Sequence, residues 1–206
     1  MKKISLIDYN MGNLLSVCKA FEFIGADIEV VSTVGEIENA EALVLPGVGN
    51  FGEGMSHLKE RGMDVAIKEK IASGTPFMGI CLGMQLLFDR SDEAPEQKGL
   101  GVIQGEVVRF DLDPKEFKVP QMGWNNIYPI ADKPLFNEIA SESYFYFVHS
   151  FYVKPANSEW VAAEAEYGLR YCVAVNKGNV FATQFHPEKS QDNGLKILQN
   201  FVDTLK

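Results

Sequence analysis

The stretch that most constrains this 206-residue chain is Thr75-Pro-Phe-Met-Gly-Ile-Cys-Leu-Gly-Met-Gln-Leu-Leu-Phe88. Pro76 to Met78 and Ile80 form a short apolar run suited to a buried parallel strand, and Leu82 to Phe88 are good helix formers, apolar nearly all round. Between them stands Cys81, with Gly79 and Gly83 on either side. A nucleophile on so sharp a strand-to-helix turn needs small neighbours, because side chains there would collide with the packed helix and with the incoming substrate. At a helix N-terminus the sulfur also sits where partial positive charge favours the thiolate, the form that attacks carbon. A free cysteine is more commonly a small buried hydrophobe. A merely structural cysteine requires neither glycine, so the pair favours the nucleophile.

A strand-turn-helix of this kind belongs to an α/β fold, and 46% hydrophobic composition over 206 residues suffices for one such core. The expectation is a single doubly wound domain over residues 1–206, with a mostly parallel central sheet plus an antiparallel β extension. Lys and Arg number 19 against 28 Asp and Glu, a formal net charge of -9, which argues against nucleic acid or an anionic membrane as partner. The three cysteines, Cys18, Cys81 and Cys172, suggest no disulfide framework and fit a reducing cytoplasm. Lys2 and Lys3 could imitate the start of a leader, but the apolar run Ile4 to Ile7 is cut short by Asp8. No stretch approaches ~18 uninterrupted apolar residues, so no membrane span is expected.

In chain order, Lys3 to Asp8 reads as a first strand and Asn10 to Asn13 as its loop. Leu14, Leu15, Cys18, Phe21 and Ile24 then recur at helical spacing, with Gly25 at the stop and Cys18 in the core-facing stripe. Asp27 to Val31 and Ala42 to Leu45 follow as strands. The next residues, Pro46-Gly-Val-Gly-Asn-Phe-Gly52, formally match the dinucleotide fingerprint G-x-G-x-x-G. That fingerprint belongs in the first βα turn with an acid ~20 residues on, and Lys70 to Gly74 offers none. A loop of exposed backbone N–H groups approaching an oxygen of developing negative charge is the better reading, with an ordinary glycine-rich turn as the alternative. A helical segment is expected around Met55 to Ile71, a polar connector over Arg90 to Gly99, a strand over Gly101 to Phe110, and a loop over Val119 to Asn125 with Trp124 at its tip. Trp124 is either core or a partner contact. Tyr144 to Val153 and Trp160 to Ala165 are β-rich. Tyr171 to Val175 and Val180 to Phe185 form a hairpin with Cys172 as packing, and Leu195 to Leu205 closes the chain as an amphipathic helix.

A thiol nucleophile needs a base, and there are three histidines. His57 lies in a polar helical stretch and reads as solvated. His149, inside Tyr-Phe-Val-His-Ser-Phe-Tyr, reads as a hydrogen-bonded core histidine. His186 ends a strand and is followed by Pro187 and Glu188, so a carboxylate able to fix its tautomer stands two residues away on a rigid segment. In parallel α/β sheets, sites gather at the carboxyl ends of strands, where Pro46 to Gly49, Cys81 and His186 would all lie. His-Pro-Glu is no zinc signature, since no cysteine follows Cys172.

The Gly79-Ile-Cys-Leu-Gly-Met-Gln85 block with His186-Pro-Glu188 resembles the class I glutamine amidotransferases. Asp8-Tyr-Asn-Met-Gly-Asn13, Leu45 to Gly49, Met122-Gly-Trp-Asn125, Phe147 to Ser150 and Gln184 to Ser190 are similar to the branch formed by the glutaminase subunits of imidazole glycerol phosphate synthases. The likeness runs over almost the whole chain. It implies that Cys81 attacks the amide of L-glutamine to give a γ-glutamyl thioester and ammonia, with His186 as acid and base oriented by Glu188. It implies oxyanion donors on Leu82 and on Gly47, Val48 or Gly49 after rearrangement, Pro46 having no N–H. By the same likeness Gln85, Glu93 and Ser150 hold glutamine, no cofactor is needed, and Asn13, Trp124 and Lys189 face a cyclase subunit that receives the ammonia. Two residues depart from the pattern: Gln121 stands where histidine is frequent and Asn10 where glycine is, which bears on interface details more than on chemistry. Asparagine tolerates left-handed backbone, so the turn can survive. The competing readings are a γ-glutamyl hydrolase or another amidotransferase subunit with the same triad, and an inactive regulatory subunit, which intact Cys81, His186 and Glu188 disfavour.

Overall fold

Short, largely apolar strands build the parallel half of the sheet, buried throughout except in the edge strand Ile28–Val31. In the computed structural model, which describes residues 3–205, β1 (Ile4–Ile7), β2 (Ile28–Val31), β3 (Ala42–Leu45) and β4 (Phe77–Ile80) are interleaved with α1 (Leu14–Phe23), α2 (Val34–Asn39), α3 (Phe51–Glu60) and α4 (Met63–Ala72). Lys2, weighed above as part of a leader-like start, lies outside the described residues. After β4 come the one-turn α5 (Leu82–Gln85), β5 (Arg90–Ser91), β6 (Gly105–Arg109), β7 (Gln121–Pro129), β8 (Ser143–His149), β9 (Phe151–Pro155), β10 (Val161–Glu166), β11 (Arg170–Lys177), β12 (Val180–Thr183) and α6 (Gln191–Asp203).

Across the sheet the order is β2-β1-β3-β4-β12-β11-β10-β7-β8. From β2 to β12 neighbours run parallel, and from β12 onward they run antiparallel. β9 joins from the side, pairing with β11 and β6, and β5 pairs with β6. This is the expected doubly wound fold with an antiparallel extension. Strand alternation divides the core into two apolar layers: Ile4, Leu6, Met78 and Ile80 face the layer holding Phe21 and Phe201, while Ile7 and Phe77 face the one holding Phe51 and Leu58.

Several local expectations are corrected. The buried stripe of α1 is Val17, Ala20 and Phe21 flanked by Leu14, so Leu15 is 65% exposed and Cys18 only half-buried. The segment from Met55 to Ile71 is two helices, broken at Gly62 with φ of 68°. Helix α2 adds to the expected elements, with Thr33 and Glu36 forming a capping box at its start. The helix after Cys81 stops at Gln85 instead of reaching Phe88, because the Leu86 and Leu87 carbonyls bond the N–H groups of Leu100, Val102 and Ile103. The connector after Phe88 contains β5, paired in parallel with β6. Val119 to Asn125 is mostly strand, not loop: β7 begins at Gln121 and pairs with β8 from Gln121 to Ile127.

Candidate active site

β3, β4 and β12 are neighbours, so their carboxyl ends place the glycine loop, the thiol and the histidine side by side. Cys81 leaves β4 with φ 55° and ψ -109°, and its N–H donates to the Thr183 carbonyl of β12 at 2.7 Å. A non-glycine residue so placed stores about 1–3 kcal/mol of backbone strain. Both flanking glycines are required by packing: a Cβ on Gly79 would lie 2.8 Å from the Gly83 carbonyl oxygen, and one on Gly83 would lie 1.9 Å from that of Leu45.

The glycine loop is held from beneath. The Tyr9 hydroxyl, fully buried, donates to the Pro46 carbonyl at 2.9 Å, and a Cβ on Gly47 would come 2.5 Å from that hydroxyl and 2.7 Å from Leu82 Cβ. Gly49 has φ of 100° and Asn50 caps α3 by accepting from the Gly52 and Glu53 N–H groups. The formal dinucleotide fingerprint is therefore a capped turn lying against the elbow. Val48, Gly49, Cys81 and Leu82 line one side of a cavity of about 250 Å³. Gln85, Glu93, His149, Ser150, Phe151 and His186 line the rest, together with Pro120 and Val148.

His186 follows β12, and the Pro187–Lys189 turn brings Glu188 back so that Oε1 lies 2.8 Å from His186 Nδ1. Their side chains are 2% and 1% exposed. The carboxylate accepts from Nδ1–H, which leaves Nε2 for the reacting groups. Among the described residues neither His186 Nε2 nor Glu188 Oε2 has a hydrogen-bond partner. Burial disfavours the imidazolium, but the Cys81 sulfur and then Glu188 outweigh it, and the His186 pKa is pushed up to about 10. The charged imidazolium is thereby favoured over its ordinary range.

The remaining residues expected from sequence fall into two groups. Gln85 and Glu93 are tied into the cavity wall: Gln85 Nε2 donates to the Phe151 carbonyl at 3.2 Å and to Gln184 Oε1 at 3.0 Å, while Glu93 Oε2 accepts from the Phe51 N–H at 2.7 Å. Ser150 sits between β8 and β9 on the same wall. Trp124, Lys189 and Asn13 lie outside the cavity. Trp124 is 47% exposed and stacks edge-on against Tyr146 at 6.1 Å, and Lys189 Nζ stands 5.9 Å from the same ring. Asn13 caps α1, which packs on the Pro187–Lys189 turn.

His57 is not solvated as expected; it is half-buried with Nδ1 3.0 Å from the Tyr9 carbonyl. Asn10 has φ of 68°, as the turn demands. Gln121 is buried rather than peripheral, and its Oε1 accepts from the Tyr171 hydroxyl at 2.7 Å behind the cavity wall. His149 is buried as expected, with Nδ1 2.8 Å from the Phe151 carbonyl. Burial lowers its pKa to about 4. An unfolded histidine protonates near 6.5, so His149 stabilises the fold above that pH and the contribution, about 3 kcal/mol, is lost as pH falls from there through about 4. In urea unfolding at pH 7 and near pH 4, His149→Gln is expected to lose that much less stability on acidification than the parent; an equal loss would refute the assignment.

Sequence reasoning missed Gln184, whose Nε2 stands 3.7 Å from Cys81 Sγ. Its position two residues before His186, just past the end of β12, is the one local signal the sequence offers.

Residues 5–205 match the family described as glutamine amidotransferase class-I. The chain belongs to this family. Among curated relatives of this class I amidotransferase, the imidazole glycerol phosphate synthase subunit HisH of Rhodopirellula baltica is 50% identical over 199 residues, covering 97% of this chain and 96% of the relative. HisH 1 of Methanococcus maripaludis is 47% identical over 205 residues, covering 98% and 100%. Among solved structures, PurLQS from Thermotoga maritima overlays the amidotransferase at a TM-score of 0.78 with 20% identity and full coverage of both chains, a likeness of fold. A crystal structure of a glutamine amidotransferase gives 0.76 at 20% identity, covering 98% of each chain.

Proposed function

We propose that the chain is a glutaminase subunit of imidazole glycerol phosphate synthase, hydrolysing L-glutamine to glutamate and ammonia and passing the ammonia to a cyclase subunit in a heterodimer. That subunit would form imidazole glycerol phosphate and AICAR in histidine biosynthesis, in the cytoplasm. The observation that carries the hydrolytic half is the thiol of Cys81 sharing one cavity with His186, whose Nδ1 is held by the buried Glu188 carboxylate. HisH names on relatives near 50% identity support the partnership.

In the scheme, Cys81 Sγ attacks the side-chain carbonyl carbon, the oxygen takes up negative charge, and backbone N–H groups of Leu82 and of Gly47, Val48 or Gly49 stabilise it. His186 Nε2 gives its proton to the departing nitrogen, so ammonia leaves and the thioester forms. Water then attacks with His186 as base. Gln85, Glu93 and Ser150 hold the substrate's amino-acid end, while Asn13, Trp124 and Lys189 meet the cyclase, and residues 1–206 act as one amidotransferase domain.

Ammonia release from glutamine by the purified chain, alone and with a cyclase subunit and its nucleotide ligand, tests this reading. Release is expected to be slow alone and to rise strongly in the complex. High release alone, indifferent to the cyclase, would retain the triad and overturn the partnership.

A further inference from the structure

Gln184 has no task in the scheme above, yet its side chain touches the reacting atom. It is fully buried, its backbone N–H is held by the Val173 carbonyl at 2.8 Å, and its side-chain amide lies 3.7 Å from Cys81 Sγ. A chain of contacts decides which end of that amide faces the sulfur. The Phe151 carbonyl can only accept, so the Gln85 atom 3.2 Å from it is the nitrogen. The same nitrogen lies 3.0 Å from the far end of the Gln184 amide, which must therefore be the oxygen. Nε2 of Gln184 is left to face Sγ.

We propose that Gln184 donates a hydrogen bond from Nε2 to the thiolate of Cys81 and is a further catalytic residue of the hydrolysis. The catalytic use of that bond rests on the glutaminase reading; the bond itself does not. A thiol sulfur accepts weakly and a thiolate strongly, so a fixed amide donor favours the charged form.

The titratable groups around the sulfur come from every side. His186, with Glu188 behind it, follows β12; Tyr9, whose hydroxyl is pushed up by burial, follows β1; His149 closes β8; and Glu93 stands across the cavity. His186 must surrender its proton during each turnover, whereas the amide of Gln184 has none to surrender. It remains a donor when water attacks the thioester: His186 takes the water proton, the carbon–sulfur bond breaks with its electron pair going to Sγ, and the acid is released. Gln184 then stabilises the departing thiolate.

Alkylation by iodoacetamide reads the thiolate without glutamine, since the thiolate displaces iodide and forms the new carbon–sulfur bond. The yield on the Cys81 peptide, measured by mass spectrometry from about pH 5 to about pH 10, is expected to show a midpoint roughly one pH unit higher in Gln184→Met, a tenfold loss of thiolate at a given pH. An unchanged midpoint overturns the proposal. In the parent protein, the Gln184 side-chain amide proton resonances should shift as Cys81 titrates, and resonances that ignore the titration overturn it as well, whether or not the variant folds. Ammonia release by the parent tests the glutaminase reading separately, so the two can fail independently.

Discussion

Cys81→Ala is expected to release ammonia from glutamine at least roughly 10³-fold more slowly than the parent, with partner binding retained. In the proposed scheme the Cys81 sulfur forms the thioester, and no other cysteine is placed to substitute for it: Cys172 is buried against the Ala174 carbonyl with its thiol pushed up by burial, and Cys18 is half-buried on α1. The loss should sit in kcat rather than KM, because the proposed substrate contacts of Gln85, Glu93 and Ser150 are untouched. Alanine keeps the backbone at φ 55° and therefore keeps the strain, so Cys81→Gly, equally inactive, should unfold at higher urea than Cys81→Ala by about 1–2 kcal/mol. Ammonia release by Cys81→Ala within tenfold of the parent would remove Cys81 from the chemistry.

Gly83→Ala is expected to lose about 3–5 kcal/mol of stability in urea unfolding, a large effect for a single methyl group. The added Cβ would stand 1.9 Å from the Leu45 oxygen and 2.9 Å from its carbonyl carbon. Those are backbone atoms of β3, which is pinned between β1 and β4, so no flexible side chain can move aside. Relief must come from shifting the elbow or the end of β3, and the glycine loop begins one residue after Leu45. The folded fraction should therefore also lose the oxyanion stabilisation proposed for that loop. Stability within about 1 kcal/mol of the parent would show that the elbow and β3 yield more readily than their pairing suggests.

The two glycines around Cys81 were legible because a tight turn leaves a mark in composition, although the reason is partly different from the one sequence suggests. Gly79 does clear the following helix, but Gly83 clears a neighbouring strand, a contact between residues far apart in the chain. β1, β3, β4 and β12 were legible because burial on both faces leaves them apolar but for Ser5 and Thr183. β7 was not: Gly123, Asn125 and Asn126 weaken its alternation, and its extended state comes from pairing with β8 and β10. His186 with Glu188 could be found because both partners lie within one short turn. The bonds from Gln184 to Cys81 and from Gln121 to Tyr171 join residues distant in sequence, and only the folded sheet brings them together.

The placement of β12 between β4 and β11 has a consequence in time. A chain growing from its N-terminus completes the nucleophile's strand early, but the strand that carries the base pairs with it across a separation of about 100 residues. Closing so long a loop is a late, slow event compared with forming the local βα units. Until then the thiol has neither Gln184 beside it nor His186 to accept or return a proton. On the proposed scheme an unfinished chain thus carries its nucleophile without the groups that would activate it, and hydrolytic competence arrives only when the last strand enters the sheet.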